Sequence, residues 1–145
     1  MTETSHRTSV SVSGGDDSVY ASRVSAMFSA LDNRDSDTVI GHLTGDVVVH
    51  LSNADPIQGG AAFIALFDQV LSALQGLRHE IHDVWRAAED PDVVIARMTV
   101  HYTRLDGVLV SVPCCNVFRL MNGLIAEYRV YVDMSPVFAG TDPGH

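Results

Sequence analysis

Four segments rich in β-branched residues fill the second half of the chain, at 77–87, 93–104, 108–121 and 124–133, and only short connections separate them. The connections read Ala88-Glu89-Asp90-Pro91-Asp92, Leu105-Asp106-Gly107 and Met121-Asn122-Gly123, each with Gly or Pro where the backbone has to reverse. Strands tied so closely leave no room for a crossover, so consecutive ones must pair antiparallel in a meander. They exceed the common length of ~5–6 residues, and long strands coil. A coiled sheet has a concave face to cover, and the first half of the chain supplies the cover. Over 18–32 the apolar residues Tyr20, Val24, Met27, Phe28 and Leu31 recur at helical spacing, and a short helix fits 36–43 through Val39, Ile40 and Leu43. A third helix at 61–74 carries Phe63, Leu66, Phe67, Val70, Leu71 and Leu74 on one wide face and is ended by Gly76. Before it, 46–51 reads as a buried strand and 52–60 as a loop. The fold class is α+β: about three N-terminal helices packed on a strongly curved antiparallel sheet, with a cone-shaped cavity between them as the natural pocket.

A chain of 145 residues forms one domain, here 18–138, with 1–17 as a disordered leader and 139–145 as a flexible tail. Residues from Ser135 onward, with Pro136, Gly140, Pro143 and Gly144, are expected to fray. The Ser- and Thr-rich start has no apolar run, so it is neither signal peptide nor anchor, and a cytoplasmic location is expected. Eighteen acidic residues against nine basic ones give a formal charge of −9. That field repels phosphate backbones and anionic headgroups, so neither nucleic acid nor membrane is an expected partner. All nine basic residues are Arg; without a lysine amine there is no Schiff-base chemistry and no Walker-type phosphate loop. Cys114 and Cys115 are adjacent, a spacing that suits neither a disulfide loop nor a zinc site. His79 and His82 are three apart on a strand and point to opposite faces, so no metal is expected, and no organic cofactor is implied. No Gly-x-Ser-x-Gly is present.

Alternation within 108–121 identifies the inner face. Val108, Val110, Val112, Cys114, Phe118 and Leu120 share it with one polar residue, Asn116, while Ser111, Pro113, Cys115, Val117 and Arg119 share the other. In 124–133 the inner set is Ala126, Tyr128, Val130 and Val132. A three-residue turn Met121-Asn122-Gly123 would pair Leu120 with Leu124 and Asn116 with Tyr128, setting an amide beside a phenol, two hydrogen-bond donors for a ligand oxygen. Strand 93–104 has two registers. A three-residue turn 105–107 puts Val94, Ala96, Met98, Val100 and Tyr102 inward; a two-residue turn puts Ile95, Arg97, Thr99, His101 and Thr103 there. In the second register His101 is the best general acid or base in the chain. His50, at the end of the valine strand, is placed at the mouth of the cone, and Trp85, Phe28, Phe67 and Phe118 are candidates for its aromatic wall.

The run 116–138 (NVFRLMNGLIAEYRVYVDMSPVF) resembles the C-terminal hairpin of SnoaL-like proteins in the nuclear transport factor 2 superfamily, as do 31–37 (LDNRDSD), 43–49 (LTGDVVV) and 59–63 (GGAAF). The resemblance spans about 18–138 and implies the cone-shaped nuclear transport factor 2-like (cystatin-like) fold. It says little about activity, since ketosteroid isomerases, polyketide cyclases, dehydratases, epoxide hydrolases and non-catalytic modules share that fold. Carried over by position, the isomerases' general base falls near Leu51, beside His50; their oxyanion-hole tyrosine falls at Met27 and their protonated aspartate at Asn116. SnoaL-type cyclases place a His at the Asn116 position and an Asp at the Val130 position. Arg104-Leu105-Asp106 mimics half of the limonene epoxide hydrolase pattern but sits in a turn, and the second half is Val130.

The reading that follows is an enzyme without cofactor, an isomerase, cyclase or lyase, moving protons beside a carbonyl of a hydrophobic polyketide- or steroid-like substrate. His101, Asn116 and His50 are its catalytic candidates; Tyr128, Trp85, Phe28, Phe67, Phe118 and Val130 would bind the substrate. A non-catalytic ligand-binding or dimerisation module is the alternative, and a divergent epoxide hydrolase a weaker one. A homodimer is expected either way, because Leu109, Pro113, Cys115, Val117 and Met121 make the outer face of 108–121 too apolar for water.

Overall fold

The computed structural model describes residues 11–12 and 17–139. The proposed leader and tail therefore lie mostly outside the described residues. Along the chain run β1 (Ser11–Val12), α1 (Asp17–Asp32), α2 (Ser36–Gly41), β2 (Leu43–Leu51), β3 (Ile57–Gln58), α3 (Gly60–Ser72), β4 (Leu74–Arg86), β5 (Val93–Arg104), β6 (Leu109–Met121), β7 (Leu124–Val132) and α4 (Ser135–Phe138). The strands form one sheet in the order β1-β4-β5-β6-β7-β2-β3, so β4 to β7 are the expected meander. The two end strands do not meet and the sheet stays unclosed. β2 and β1 join it in parallel, alongside β7 and β4.

Asp35 caps α2, its Oδ1 accepting the Thr38 N–H at 3.3 Å. The inner face of the sheet packs on α1 and α3 through Val24, Met27, Phe28, Leu31, Phe63, Val94, Met98, Phe118 and Ile125, all buried. Four register shifts, one in the β2–β7 pairing, two in β4–β5 and one in β6–β7, bend the strands.

Turn chemistry decides the two registers. Arg104 N–H donates to Val108 O at 2.9 Å across the loop 105–107, and Gly107 holds φ +86°, so the loop has three residues. Val94, Ala96, Met98, Val100 and Tyr102 consequently face inward and are buried. At the next hairpin the expected three-residue turn is replaced by two residues. Met121 pairs with Leu124, and Asn122 and Gly123 take φ +53° and +81°, as a type I′ turn requires. Parity would then have flipped all of β7, but Ala126 bulges out between the pairs Leu120–Ile125 and Arg119–Glu127. Ile125 takes the inner place expected of Ala126, while Tyr128 stays inside opposite Phe118, and Asn116 lies opposite Val130 rather than Tyr128.

The segment expected to fray from Ser135 instead forms α4, opened by Asp133, whose carboxylate accepts from Ser135 N–H at 3.0 Å, and anchored by the fully buried Val137. No helix among the described residues is long and apolar enough to cross a membrane.

Candidate active site

Between α3 and the inner face of β4 to β7 lies a narrow cavity of about 70 Å³. The inner volume suits a handful of waters. Phe63, Leu66, Phe67 and Val70 of α3 form one wall, and Val49, Val100, Val130 and Val132 much of the other. Five polar side chains interrupt this apolar lining: His79, Tyr102, Cys114, Asn116 and Tyr128. No cationic Arg is among them.

His79 is held by Asp32, the last residue of α1. The carboxylate receives the imidazole Nδ1 at 2.6 Å and the backbone N–H of His79 at 3.0 Å. A carboxylate only accepts, so Nδ1 carries a proton, and in the neutral imidazole Nε2 then keeps its lone pair. Among the described residues Nε2 has no partner. Phe28, buried behind it, packs on the imidazole with ring centres 4.7 Å apart and fixes its plane. This is the arrangement of a general base oriented by a carboxylate.

Asn116 is fully buried. Among the described residues its amide Nδ2 reaches only sulfur, Met98 Sδ at 3.3 Å and Cys114 Sγ at 3.5 Å, and its Oδ1 faces the Cys114 thiol at 3.8 Å. Sulfur is a weak acceptor, so this amide is close to orphaned, a costly state in an apolar wall and a useful one when a ligand oxygen arrives. The hydroxyls of Tyr102 and Tyr128 likewise find no hydrogen-bond partner among the described residues. Burial raises both phenols' pKa; Cys114 adds to it in each case, and Tyr102 and Asp32 add to it for Tyr128. Both stay protonated and act as donors. Tyr128 is stacked on Phe118 at 4.8 Å and edge-on to Phe63 at 5.6 Å.

Burial likewise pushes the Cys114 thiol from its ordinary 9.0 up to about 11, against the hydrogen bond to Asn116. A stability consequence follows with a definite sign. Above pH 9 the unfolded chain loses this proton while the folded chain keeps it, so the contribution present below pH 9 is lost between pH 9 and 11. The two phenols extend the loss further into alkali. Urea unfolding is therefore expected to show a midpoint flat between about pH 7.5 and 8.5 and falling beyond it, with the fall beginning later in Cys114→Ala. A midpoint independent of pH up to 10.5 would contradict the burial assigned to these groups.

The placements of the sequence candidates divide cleanly. Asn116, Tyr128, Phe67 and Val130 line the cavity; Phe118 and Phe28 pack directly behind it. His101, His50 and Trp85 do not reach it. With the three-residue turn, His101 points to the outer face, where Nδ1 lies 2.7 Å from Ser111 Oγ and Nε2 2.7 Å from Glu80 Oε1. That chain of groups imitates a nucleophilic triad, but it stands on the outer face of the sheet, and none of its three side chains lines the cavity. His50 alternates with the inward Val49 and lies 3.5 Å from Glu127. Trp85 is turned outward by the bulge between Ile81 and Asp83 and is 38% exposed. Arg104 and Asp106 form an ion pair that braces the turn, with Asp106 also accepting from Val108 N–H. The Asp32–His79 pair is what sequence reasoning missed. Spacing alone offers His79 only as a partner of His82, which lies apart from it, bonded to Thr99 at 2.8 Å. The available signal was that His79 alternates with the inward Leu77 and Ile81.

A sequence model of the SnoaL-like domain family matches residues 24–128. No curated protein matches. Among solved structures, a SnoaL-like polyketide cyclase, so named provisionally, from Jannaschia sp. CCS1 shares 18% identity at a TM-score of 0.76, covering 90% of this chain and 100% of that one. A nuclear transport factor 2-like protein of unknown function from Burkholderia pseudomallei K96243 shares 16%, with a TM-score of 0.74 and coverage of 83% and 95%. A limonene epoxide hydrolase-like epoxide hydrolase of M. tuberculosis shares 28%, with a TM-score of 0.69 and coverage of 85% and 89%.

Proposed function

The chain belongs to the SnoaL-like domain family, and from that premise we propose that it is a cofactor-independent enzyme that moves a proton next to the carbonyl of a neutral, compact, hydrophobic substrate. One observation carries this reading: an imidazole with a free Nε2 and a buried amide with only sulfur partners line the same apolar cavity. His79 Nε2 takes a proton from the carbon beside the carbonyl, and Asp32 stabilises the imidazolium. Tyr128 and Asn116 donate to the oxygen as it becomes an enolate, and Tyr102 stands in the same wall for a second oxygen. The low-dielectric surroundings strengthen these few bonds as charge develops. Return of the proton to another carbon is isomerisation, its delivery to a departing hydroxyl is dehydration, and attack of the enolate carbon on a second carbonyl is cyclisation. With no Arg among the described residues of the lining, an anionic substrate would be bound poorly.

The name polyketide cyclase given to the Jannaschia protein agrees with enolate chemistry. The name epoxide hydrolase given to the M. tuberculosis protein is not carried over, because Arg104 and Asp106 lie in a turn away from the cavity. The test is uptake of deuterium from D2O at the α-carbon of small cyclic ketones and β-hydroxyketones, followed by NMR, together with binding of a series of substituted phenols as enolate mimics. Exchange above the buffer rate and tighter binding of the more acidic phenols support the reading. Phenol affinity with no dependence on acidity, and no exchange, would leave only a ligand-binding module.

We further propose a homodimer formed through the outer sheet face, where Leu109, Met121 and Tyr131 are 63%, 59% and 53% exposed. Sedimentation at micromolar concentration is expected to give a dimer; a monomer would refute this.

A further inference from the structure

A cavity that suits a handful of waters admits a substituted ring only if part of its wall moves. Most of that wall is fixed. β4 to β7 are tied strand to strand, and α3 is anchored by the buried Phe63 and Leu71. The remaining element is α4, whose N-cap residue, Met134, lines the cavity. The lining grades from the buried Cys114, Asn116 and Tyr128 to the half-buried Phe67, Val132 and Met134, so the junction of β7 with α4 stands at the rim. α4 is held at both ends. At its start the Asp133 carboxylate accepts from Ser135 N–H at 3.0 Å and Oγ at 2.7 Å. At its end Arg104 Nη1 donates to the carbonyl of Ala139 at 3.1 Å. Arg104 is aligned in turn by Asp106, which accepts from Nε at 3.1 Å and Nη2 at 2.5 Å. The Arg104-Leu105-Asp106 run, no part of which lines the cavity, thereby fastens the far end of α4.

We propose that α4 is the door of the cavity, hinged at Asp133 and Met134 and latched by the Arg104–Asp106 pair through the Ala139 carbonyl. Swinging it out withdraws Met134 from the wall and opens the way to Cys114 and Asn116. The element is built for this. It is four residues long, with Ser135, Pro136 and Phe138 exposed around one buried side chain, Val137, and so short a segment opens locally without unfolding the domain. The latch is polar and stands at the surface, where the Asp106 side chain is 52% exposed, so water replaces its hydrogen bonds when it parts. The anchor is apolar and sets the resting state to closed, because opening exposes Val137.

This inference rests on the cavity being the substrate site, but its test needs neither substrate nor turnover, because Cys114 is a thiol inside the cavity and reports access to it. In the full chain carrying Cys115→Ser, Cys114 is the sole thiol, and its alkylation by N-ethylmaleimide, a neutral reagent, is followed by mass. Arg104→Ala removes the latch and Val137→Ala loosens the anchor; each is expected to speed alkylation severalfold at an unchanged pH. Val39→Ala, in the buried core under α2, lowers global stability without touching α4 and is expected to leave the rate unchanged. Asp106→Asn, which leaves Arg104 in place but poorly aligned, serves where the other door variants fail to fold, and is also expected to speed the reaction. An unchanged rate in the folded door variants, or an equal rise in Val39→Ala, overturns the door. If the door holds but no substrate proton exchanges, the catalytic reading fails on its own; if protons exchange and the door variants label at the wild-type rate, the door alone is wrong.

Discussion

Replacing His79 with Gln is expected to lower α-proton exchange about 10²–10⁴-fold, the loss typical of a missing general base. The protein is expected to remain folded, because Asp32 keeps its bond to the backbone N–H of residue 79 whatever the side chain there. Asp32→Asn gives a similar loss for a different reason. An amide at that position can donate to Nδ1 through its nitrogen, which drives the ring proton to Nε2 and occupies the lone pair that does the chemistry. The two losses are not expected to add, since each removes the same base. The controls follow from the sheet faces: His101→Ala and His50→Ala change outer-face contacts to Glu80, Ser111 and Glu127, and are expected to leave exchange near the wild-type rate. Full activity in His79→Gln, with loss in His101→Ala, would remove the base from this cavity.

That outcome also measures how far the sequence could be read. The meander was legible because Gly107, Asn122 and Gly123 sit where sharp reversals need positive φ, and because alternation in 108–121 is nearly unbroken. Helix faces were legible for the same reason, through periodic burial of Val24, Met27, Phe28 and Leu31. Bulges were not. The extra residue at Ala126 leaves no compositional trace, and it repaired a turn-length error so that Tyr128 and Val130 still face inward. The bulge between Ile81 and Asp83 had the opposite effect, sending Trp85 outward although its spacing from His79 and Ile81 suggests the inner face. Nor could sequence spacing join Asp32 to His79, which are 47 positions apart and meet only because the end of α1 is packed against the open edge of β4. Asn116, by contrast, announced itself as the one amide in an apolar strand face.

Asn116→Leu is expected to move stability and function in opposite directions. The buried amide gains little from Met98 and Cys114, so removing it relieves the cost of a poorly satisfied polar group, about 1–3 kcal/mol. Leucine matches its branching, and the adjacent cavity accepts the added volume. The urea midpoint is therefore expected to rise with an unchanged slope. Exchange, however, is expected to fall about 10²–10³-fold, the usual loss of one preorganised donor to a developing oxyanion, and phenols are expected to lose their preference for acidity. Asn116→Asp separates donor from shape. Burial among sulfur and apolar groups disfavours a carboxylate, so the acid is held protonated and still donates, as the aspartate of ketosteroid isomerases would at this position. Its exchange is expected to lie near wild type at neutral pH and to decline in alkali as the acid ionises. A leucine variant that is both less stable and fully active would show that the amide is a structural tie to its sulfur neighbours, and the oxygen of any ligand would then have to be sought at Tyr102 and Tyr128 alone.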